Sequence, residues 1–559
     1  MKLNFKGISL ILIGTVIWSL TMVKSGLIYS FGMGFWGPNG HDGVWHIALA
    51  ESFARGSFDV PTFAGEALKN YHVGFDLILA FLNKLTTIPI VNLYFQIIPP
   101  VLAASVGILT YKFVILWRKS KEEAFWATFF VYFGGSFGWL VTLVRDGQIG
   151  GESMFWAQQS ISTLINPPLA LSLALLLSGL ILLLKKRNSL LPILCFGILI
   201  QIKAYAGILA LGALLIVGSY NLWKRKDGNL LKVFLGSLTI SILLFLPFNK
   251  NPGSLIFFKP FWFLETMMGL KDRLDWQRFY SAMTTYRYGN IWVKAVPAYL
   301  VAFVIFWVGN MGIRIIKAIL VWKWIKNFKK IGWVEIFIAS LILAGGLIPM
   351  FFLQMGTSWN TIQFFYYSLF FSGILAGVAL GEILSKTKAI LARTVFVAGI
   401  ILLTAPTTLG TLAHYLPARP PAKISNEEFE ALTFLAKEPQ GVILTYPFDR
   451  FKAKEAEANP PRPLYLYEST AYVSAFAKKP VYLEDEVNLD ITGYPWKERR
   501  EMVEVFYQTN DINKVKEFLK SNNITYVYRL KGQRVILDES QLGISKIFEN
   551  EAVDVFKVD

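Results

Sequence analysis

Long runs of apolar residues follow one another through the first four hundred positions of the chain. Each run is close to the roughly 20 residues that an α-helix needs to cross a bilayer. We predict about 11 membrane-spanning helices, at residues 8–28, 90–116, 123–144, 166–184, 189–203, 204–222, 230–248, 295–322, 333–354, 362–383 and 389–411. The pair 189–222 could also be one broken helical hairpin, because Lys203 interrupts it.

Composition and charge support a polytopic membrane protein. Hydrophobic residues make up 54% of the chain and charged residues 17%, which excludes an ordinary soluble protein. Residues 1–411 contain 35 Lys and Arg against 15 Asp and Glu. The positive-inside rule assigns the most basic short connections to the cytoplasm. It therefore predicts a cytoplasmic N-terminus and outer loops at 29–89, 145–165 and 249–294. Because membrane orientation accounts for the positive charge, the charge does not indicate nucleic-acid binding.

The last part of the chain has the pattern of a small soluble α/β domain. A proline-rich linker at 412–422 leads from the membrane domain (1–411) into residues 423–559, which we expect outside the cytoplasm. We predict a helix at 426–437 capped by Ser425 or Asn426, one or two helices within 497–522, and strands at 441–446, 525–529, 534–538, 544–548 and 552–558. The single cysteine, Cys195, lies in a span, so no disulfide supports this domain.

Three of the four histidines gather in one polar segment after the first span: His41, His46 and His72. Ionisable groups beside a bilayer point first to chemistry or ligand handling. Asp42 and His46 are four residues apart and would share one face of a helix. They could form a base and its orienting partner, or two ligands of a divalent metal with Asp146. Alternatively, Asn39 or Asp42 simply caps an interfacial helix at 43–55, and the histidines are surface residues.

Further candidate residues lie in the other outer loops and at one break in the spans. Asp146 and Glu152, bracketed by glycines, could supply a second carboxylate or could belong to an ordinary turn. Lys203 lies at membrane depth, where a charged side chain needs a partner. A lipid phosphate could be that partner, and arginines of the third outer loop could add bidentate contacts to the same phosphate. Amides and aromatics meet near 354–367, a mixture that suits sugar recognition or an interfacial belt. The candidates for substrate binding are His41, His72, Asp146, Glu152, Lys203, Arg273, Arg278, Arg287, Asn360 and Gln363.

The sequence resembles the GT-C superfamily of integral membrane glycosyltransferases, as a bacterial or archaeal member similar to protein O-mannosyltransferases and aminoarabinose transferases. The resemblance rests on His41-Asp42-Gly43 after the first span, Tyr71-His72-Val-Gly-Phe75, Asn166-Pro-Pro168, and the C-terminal runs 467–471, 479–482, 493–494, 499–500 and 525–528. Mannosyltransferase-type members carry Asp-Glu where this chain has Asp42-Gly43. No sequon-reading motif of the oligosaccharyltransferases is evident.

The resemblance implies transfer of a sugar from a polyprenyl-phosphate or diphosphate donor to a hydroxyl at the outer face of a prokaryotic plasma membrane. It implies Asp42 as the general base of an inverting reaction, with His46 or His72 orienting that base or touching the sugar. Partners would be the lipid-linked donor, a glycan, lipid or protein acceptor, and membrane lipids. The resemblance implies no certain cofactor and leaves a divalent metal open. The rival function is a transporter or flippase of lipid-linked glycans, which should carry charges through several spans.

Overall fold

The structure is a computed structural model that describes residues 4–186, 189–249, 256–533 and 542–559. The chain folds into two compact units. The first comprises the described residues within 1–21, 99–247 and 251–415, and the second comprises those within 22–98, 248–250 and 416–559. The segment 22–98 therefore folds in the same unit as the C-terminal part of the chain.

Helices dominate the first part of the chain and alternate with strands in the last part. The helices are α1 (Phe5–Ser19), α2 (Asp42–Ala54), α3 (Gly74–Thr86), α4 (Ile90–Asn92), α5 (Ile98–Arg118), α6 (Lys121–Phe133), α7 (Gly138–Asp146), α8 (Pro167–Leu184), α9 (Leu190–Gly197), α10 (Leu199–Ile202), α11 (Ala204–Arg225), α12 (Asn229–Phe245), α13 (Trp262–Gly269), α14 (Gln277–Tyr288), α15 (Trp292–Met311), α16 (Ala318–Lys326), α17 (Trp333–Phe351), α18 (Gln363–Lys386), α19 (Ile390–Tyr415), α20 (Asn426–Lys437), α21 (Arg450–Glu457), α22 (Tyr472–Phe476), α23 (Glu486–Thr492), α24 (Trp496–Gln508) and α25 (Ile512–Ser521).

The strands form three sheets. They are β1 (Leu27–Tyr29), β2 (Gly32–Phe35), β3 (Ile256–Phe258), β4 (Phe352–Gln354), β5 (Ala422–Ile424), β6 (Val442–Thr445), β7 (Arg462–Pro463), β8 (Ile524–Leu530), β9 (Ile544–Glu549) and β10 (Val553–Val558). The sheet orders are β1-β2-β5-β7, β6-β8-β10-β9 and β3-β4. Strands β6 and β8 are parallel, whereas β8, β10 and β9 are antiparallel.

The chain is a multi-pass membrane protein with a mostly helical membrane part. In the described part of the chain, seven helical segments are long and apolar enough to cross a bilayer: Ile90–Arg118, Pro167–Leu184, Ala204–Arg225, Trp292–Lys326, Trp333–Phe351, Ser358–Lys386 and Ile390–Tyr415. The pair α6 and α7, bent by 44°, is an eighth candidate. Three shorter apolar helices lie at Phe5–Ser19, Leu190–Ile202 and Asn229–Phe245, so the predicted number of about 11 stays a prediction.

Glycines allow α6 and α18 to pack with their backbones almost in contact. Gly373, Gly377 and Gly381 stand four residues apart on α18, so they form one stripe along the helix. A Cβ added at Gly377 would lie 2.1 Å from the backbone nitrogen of Ala127, and one at Gly381 would lie 2.6 Å from Cα of Glu123. Small residues at this spacing are a common way for membrane helices to approach closely.

A buried arginine holds the break between α6 and α7. Arg314 is 1% exposed and donates to the carbonyl oxygens of Met311 at 3.1 Å, Asn310 at 2.8 Å and Gly135 at 3.3 Å. It also donates to the side-chain oxygen of Gln159. A guanidinium removed from water is costly unless its donors are matched. These acceptors explain why the predicted single span at 123–144 is bent here.

The second unit joins segments that are far apart in sequence. Strand β2 pairs antiparallel with β5, with Met33 opposite Ile424. Ser425 caps α20 through a reciprocal capping box with Glu428, as predicted. The predicted strands at 441–446, 525–529, 544–548 and 552–558 and two helices within 497–522 are confirmed. The predicted strand at 534–538 lies outside the described residues.

The glycine stripe on α18 predicts a large difference between two Gly→Ala variants. In Gly377→Ala the new methyl group meets the backbone of α6, which cannot move without disturbing the bundle, so we expect a loss of about 1–3 kcal/mol or more of unfolding free energy. Gly399→Ala in α19 places its methyl group in open space and should be neutral or slightly stabilising. Thermal unfolding in detergent measures both. Equal midpoints for the two variants would contradict the close packing of α6 and α18.

Candidate active site

The candidate residues fall into two groups, one in each unit. In the second unit, Asp42 is the first residue of α2 and follows His41, the N-cap residue. The side chains of His41 and Asp42 are hydrogen-bonded, with 2.9 Å between Nδ1 and Oδ1, and they are 30% and 54% exposed. A carboxylate at this end of a helix faces the positive end of the helix dipole. A small substrate can therefore reach Asp42 from solvent.

The capping and interfacial reading of this segment is wrong in two respects. The N-cap position is occupied by His41, and Asp42 is the first residue of the helix, while Asn39 donates to the Ser25 hydroxyl at 3.0 Å. Helix α2 is buried on every side from Gly43 to Phe53, because its apolar residues surround the whole helix rather than one face. It is a core helix of the second unit and packs against α3 and α22.

Histidine 46 pairs with a residue thirty positions away. Its Nδ1 lies 2.7 Å from Oδ1 of Asp76 on α3, and the two side chains are 5% and 0% exposed. The His46 ring stacks on Tyr94 with centroids 5.7 Å apart. The expected partner of His46 was Asp42, but α3 brings a second carboxylate to the buried side of α2. His72 lies beside the same aromatic cluster, with its ring 4.6 Å from that of Tyr71.

The pKa of His41, at the start of α2, is influenced by a residue of the C-terminal segment. Burial alone would lower the pKa of His41, but the charge and hydrogen bond of Asp42, together with the charge of Asp485, raise it above the usual value. Asp485 in turn interacts with both His41 and Asp42, and burial raises the pKa of Asp485 to about 7. Sequence reasoning missed Asp485, whose only signal was the acidic run 484–486.

In the first unit, Glu152 lies inside a hydrogen-bonded cluster. Its carboxylate accepts from the backbone nitrogen of Gln159 at 2.6 Å and from the hydroxyl of Ser162 at 2.8 Å. Burial outweighs these hydrogen bonds and raises the pKa of Glu152 to about 7. Asp146 is different: it is exposed and forms two hydrogen bonds with Arg145, at 2.9 and 3.0 Å.

The predicted basic residues have unequal surroundings. Lys203 is 4% exposed, lies in extended backbone between α10 and α11, and reaches Oδ1 of Asn166 at 3.3 Å. Arg273 lies over the ring of Trp156 at 4.2 Å. Its Nε is buried and has no hydrogen-bond partner within the described ranges. Arg287 is bound to Glu265 at 2.6 Å, whereas Arg278 is exposed.

Tyrosines connect several of these residues. Tyr366 on α18 interacts electrostatically with Glu152, Tyr205 and Arg273. The Tyr205 hydroxyl donates to Gln354 at 2.6 Å, and Lys203 lies 5.6 Å from the Tyr205 ring centroid. Tyr366 also lines a small cavity together with Gln159, Ser162 and Arg314. Tyr366 lies in the aromatic run 354–367 that the sequence marked as suited to sugar recognition or to an interfacial belt. Trp156 was missed because tryptophan is common at membrane interfaces, so nothing in its local sequence marks it.

The predicted amides form a local pair beside this region. Gln363 donates to Oδ1 of Asn360 at 3.4 Å at the start of α18. No group of three or more His, Cys, Asp or Glu side chains in the described part of the chain is arranged to hold a metal ion. Asp42, His46 and Asp146 therefore do not form a shared metal site there.

Comparison with known proteins finds structural but no sequence relatives. No family model matches the chain, and no curated protein is significantly similar in sequence. The archaeal oligosaccharyltransferase AglB from Archaeoglobus fulgidus, in complex with an inhibitory peptide and a dolichol-phosphate, has a TM-score of 0.51 at 11% identity, over 94% of this chain and 69% of AglB. Arabinofuranosyltransferase AftD from Mycobacteria has a TM-score of 0.50 at 14% identity, over 99% of this chain and 40% of AftD. ArnT from Cupriavidus metallidurans has a TM-score of 0.44 at 13% identity, over 98% and 97%.

The raised pKa of Glu152 predicts a pH-dependent contribution to stability. The native state holds this proton more tightly than the unfolded state, so the contribution is complete below about pH 4.5 and is lost as pH rises through about 7. We expect the difference in unfolding midpoint between the wild type and Glu152→Gln to change over that interval. Asp146→Asn is the control, because Arg145 lowers the pKa of Asp146 and its effect should be flat above pH 5. A flat difference for Glu152→Gln would contradict the assignment.

Proposed function

We propose that this chain, which has the fold of the GT-C membrane glycosyltransferases, transfers a sugar from a polyprenyl-phosphate or diphosphate donor to an acceptor hydroxyl. Asp42 is the general base, and the anomeric centre is inverted. The observation that carries the proposal is the solvent-accessible Asp42–His41 pair at the first turn of a buried helix. A reactive group on a rigid core helix keeps its position while remaining open to substrate.

The reaction needs one base and one leaving group. The acceptor oxygen forms a bond to the anomeric carbon while the bond from that carbon to the phosphate oxygen breaks. The acceptor proton passes to Asp42, and the polyprenyl phosphate departs with the electron pair. Attack from the side opposite the leaving group inverts the anomeric carbon, as in other single displacements at sugars. His41 is within hydrogen-bond distance to orient the Asp42 carboxylate.

His46 influences the base indirectly, by fixing the position of the helix that carries Asp42. Its buried hydrogen bond to Asp76 fastens α2 to α3, and Asp42 lies one helical turn before it. His46 is therefore a positioning residue in this proposal. His72 is the remaining candidate for a direct contact with the sugar.

Lys203 and Arg273 are the candidates for holding the donor phosphate. Lys203 is buried. Arg273 pairs with Asp272 through Nη1 at 2.7 Å, but its buried Nε has no acceptor among the described residues and is the donor left for a phosphate. Hydrogen bonds between a guanidinium and a phosphate are strong and directional. Arg287 is engaged by Glu265 and is better placed to shape the neighbouring surface than to bind phosphate.

An apolar groove in the first unit suits the lipid tail of the donor. It has a volume of about 680 Å³ and is lined almost entirely by apolar side chains of α13, α15 and α17, with Arg287 among them. AglB, which has the same fold, has been observed with a dolichol-phosphate. We place the reaction at the outer face of a prokaryotic plasma membrane, with a cytoplasmic N-terminus, because the basic short connections then lie inside.

Replacing Asp42 should remove most of the activity. Loss of a general base typically costs about 10²- to 10⁴-fold in rate, so we expect Asp42→Asn to release polyprenyl phosphate from lipid-linked sugars that much more slowly than the wild type. The assay uses purified protein in nanodiscs and a panel of donors. Asp59→Asn, an exposed aspartate in the same segment, is the matched control. Unchanged release by Asp42→Asn would eliminate Asp42 as the base, and no release by the wild type would favour a transporter.

Removing the phosphate-binding cations should weaken donor binding. A hydrogen bond to a charged group is worth about 1.5–3 kcal/mol, so Lys203→Ala and Arg273→Ala should each raise the KM for the donor by about 10- to 100-fold. Lys271→Ala, an exposed cation of the same loop as Arg273, should leave KM unchanged. A KM equal to that of the wild type in both test variants would remove this assignment.

A further inference from the structure

The second unit contains a cavity whose lining residues have no role in the proposed reaction. It lies at the carboxyl ends of β6 and β8. These two strands are parallel, with Thr445 opposite Tyr528. The crevice at the carboxyl ends of parallel strands is a frequent position for ligands in α/β sheets. The loops 465–472 and 483–486 close its sides.

The lining indicates the chemistry of the ligand. Five tyrosines provide flat apolar faces with hydroxyls at their edges: Tyr446, Tyr465, Tyr467, Tyr472 and Tyr528. Four acidic residues also line the cavity, and none of the described lining residues is basic. A phosphate or another anion is therefore a poor ligand. A neutral polyhydroxyl compound such as a saccharide suits this lining, because its ring can stack on the tyrosines and its hydroxyls can donate hydrogen bonds to the acidic residues.

The acidic residues are largely engaged, so the cavity does not select strongly for cations. Glu484 accepts from the backbone nitrogens of Val473 and Ser474 at 2.8 and 3.1 Å, and Glu486 pairs with Arg500. Burial raises the pKa of Glu484 to about 8 and that of Asp485 to about 7. Near neutral pH these carboxyls are partly protonated, and a protonated carboxyl both donates and accepts hydrogen bonds, as sugar hydroxyls require.

Two buried hydroxyls in the wall, those of Thr470 and Tyr528, lack a hydrogen-bond partner among the described residues. Thr470 is 4% exposed, it lines the cavity, and its Oγ1 has no hydrogen-bond partner within the described ranges. A buried hydroxyl without a partner costs folding free energy, so it is normally satisfied or removed. A ligand in the cavity would supply the missing hydrogen bond.

The cavity leads towards the proposed base. Asp485, in its wall, interacts electrostatically with both His41 and Asp42. Its backbone is left-handed, with φ at 57°, a conformation uncommon for residues other than glycine and often found at functional sites. The preceding residue, Glu484, donates its backbone N–H to the Thr62 carbonyl at 3.0 Å. The wall of the cavity is thus fastened to the same segment, 29–89, that carries Asp42.

We infer that the cavity at the ends of β6 and β8 binds a saccharide acceptor, with Thr470 as a hydrogen-bonding residue and Asp485 at the end nearest Asp42. The inference rests on the proposed function, since it names the acceptor of that reaction. The acceptor hydroxyl that loses its proton to Asp42 would then be presented by a sugar held among the tyrosines.

Binding of simple glycosides to the full chain in nanodiscs tests this inference. The probes are the methyl glycosides of mannose, galactose, N-acetylglucosamine and arabinofuranose, measured by saturation-transfer NMR. We expect at least one to bind, and Thr470→Val to weaken it by about three- to tenfold, the effect of one hydrogen bond. Because Thr470→Val removes an unpartnered hydroxyl, its unfolding midpoint should equal or exceed that of the wild type. Thr433→Val, at an exposed position on α20, should bind like the wild type.

The possible results separate this inference from the proposed function. Binding that depends on Thr470 and persists in an inactive Asp42→Asn supports both. The same binding with an active Asp42→Asn supports the saccharide site and rejects only the base. The site is rejected if no glycoside binds or if Thr470→Val binds as well as the wild type, even where donor release still depends on Asp42.

Discussion

The geometry of the helical unit depends on how one buried guanidinium is satisfied. Arg314 has almost no contact with solvent, and its donors are matched by the Gly135 carbonyl in the break between α6 and α7, by the carbonyls of Asn310 and Met311 at the end of α15, and by Gln159. Leaving a buried charge without partners is strongly destabilising, so the break and the following segment are fixed together. Gln159 also donates its backbone N–H to Glu152. One cation thereby determines both the bend in the bundle and the position of a candidate acid.

Much of the fold was readable from local patterns, because helix caps, alternation and apolar runs act over a few residues. The capping box at Ser425 and Glu428, the helix that begins at Asp42 and the interruption at Lys203 are examples. The pairing of candidate residues was not readable. Spacing suggested Asp42 with His46, but the partner of His46 is Asp76, thirty residues away on another helix. Likewise, nothing in the sequence near 485 indicated that this aspartate would lie in range of His41 and Asp42.

The absence of an acid after Asp42 has a physical reason in this chain. A Cβ at Gly43 would lie 2.7 Å from Cζ of the Phe95 ring, and Phe95 is fully buried, so it has no room to move away. A glutamate at this position would require a different aromatic packing beneath α2. The departure from the Asp-Glu pattern is thus coupled to the core of the second unit. A role played by that glutamate in other proteins needs a different residue here.

The pairing of β2 with β5 also determines when this protein can finish folding. Residues 32–35 receive their partner strand only when residues 422–424 have been made. At about 5–20 residues per second, the intervening chain takes on the order of a minute to synthesise. During that time β2 has an exposed edge, which is a template for wrong pairing between chains. The segment that carries Asp42 therefore stays incompletely packed while the helical bundle is made and inserted. A chaperone would matter most during this interval.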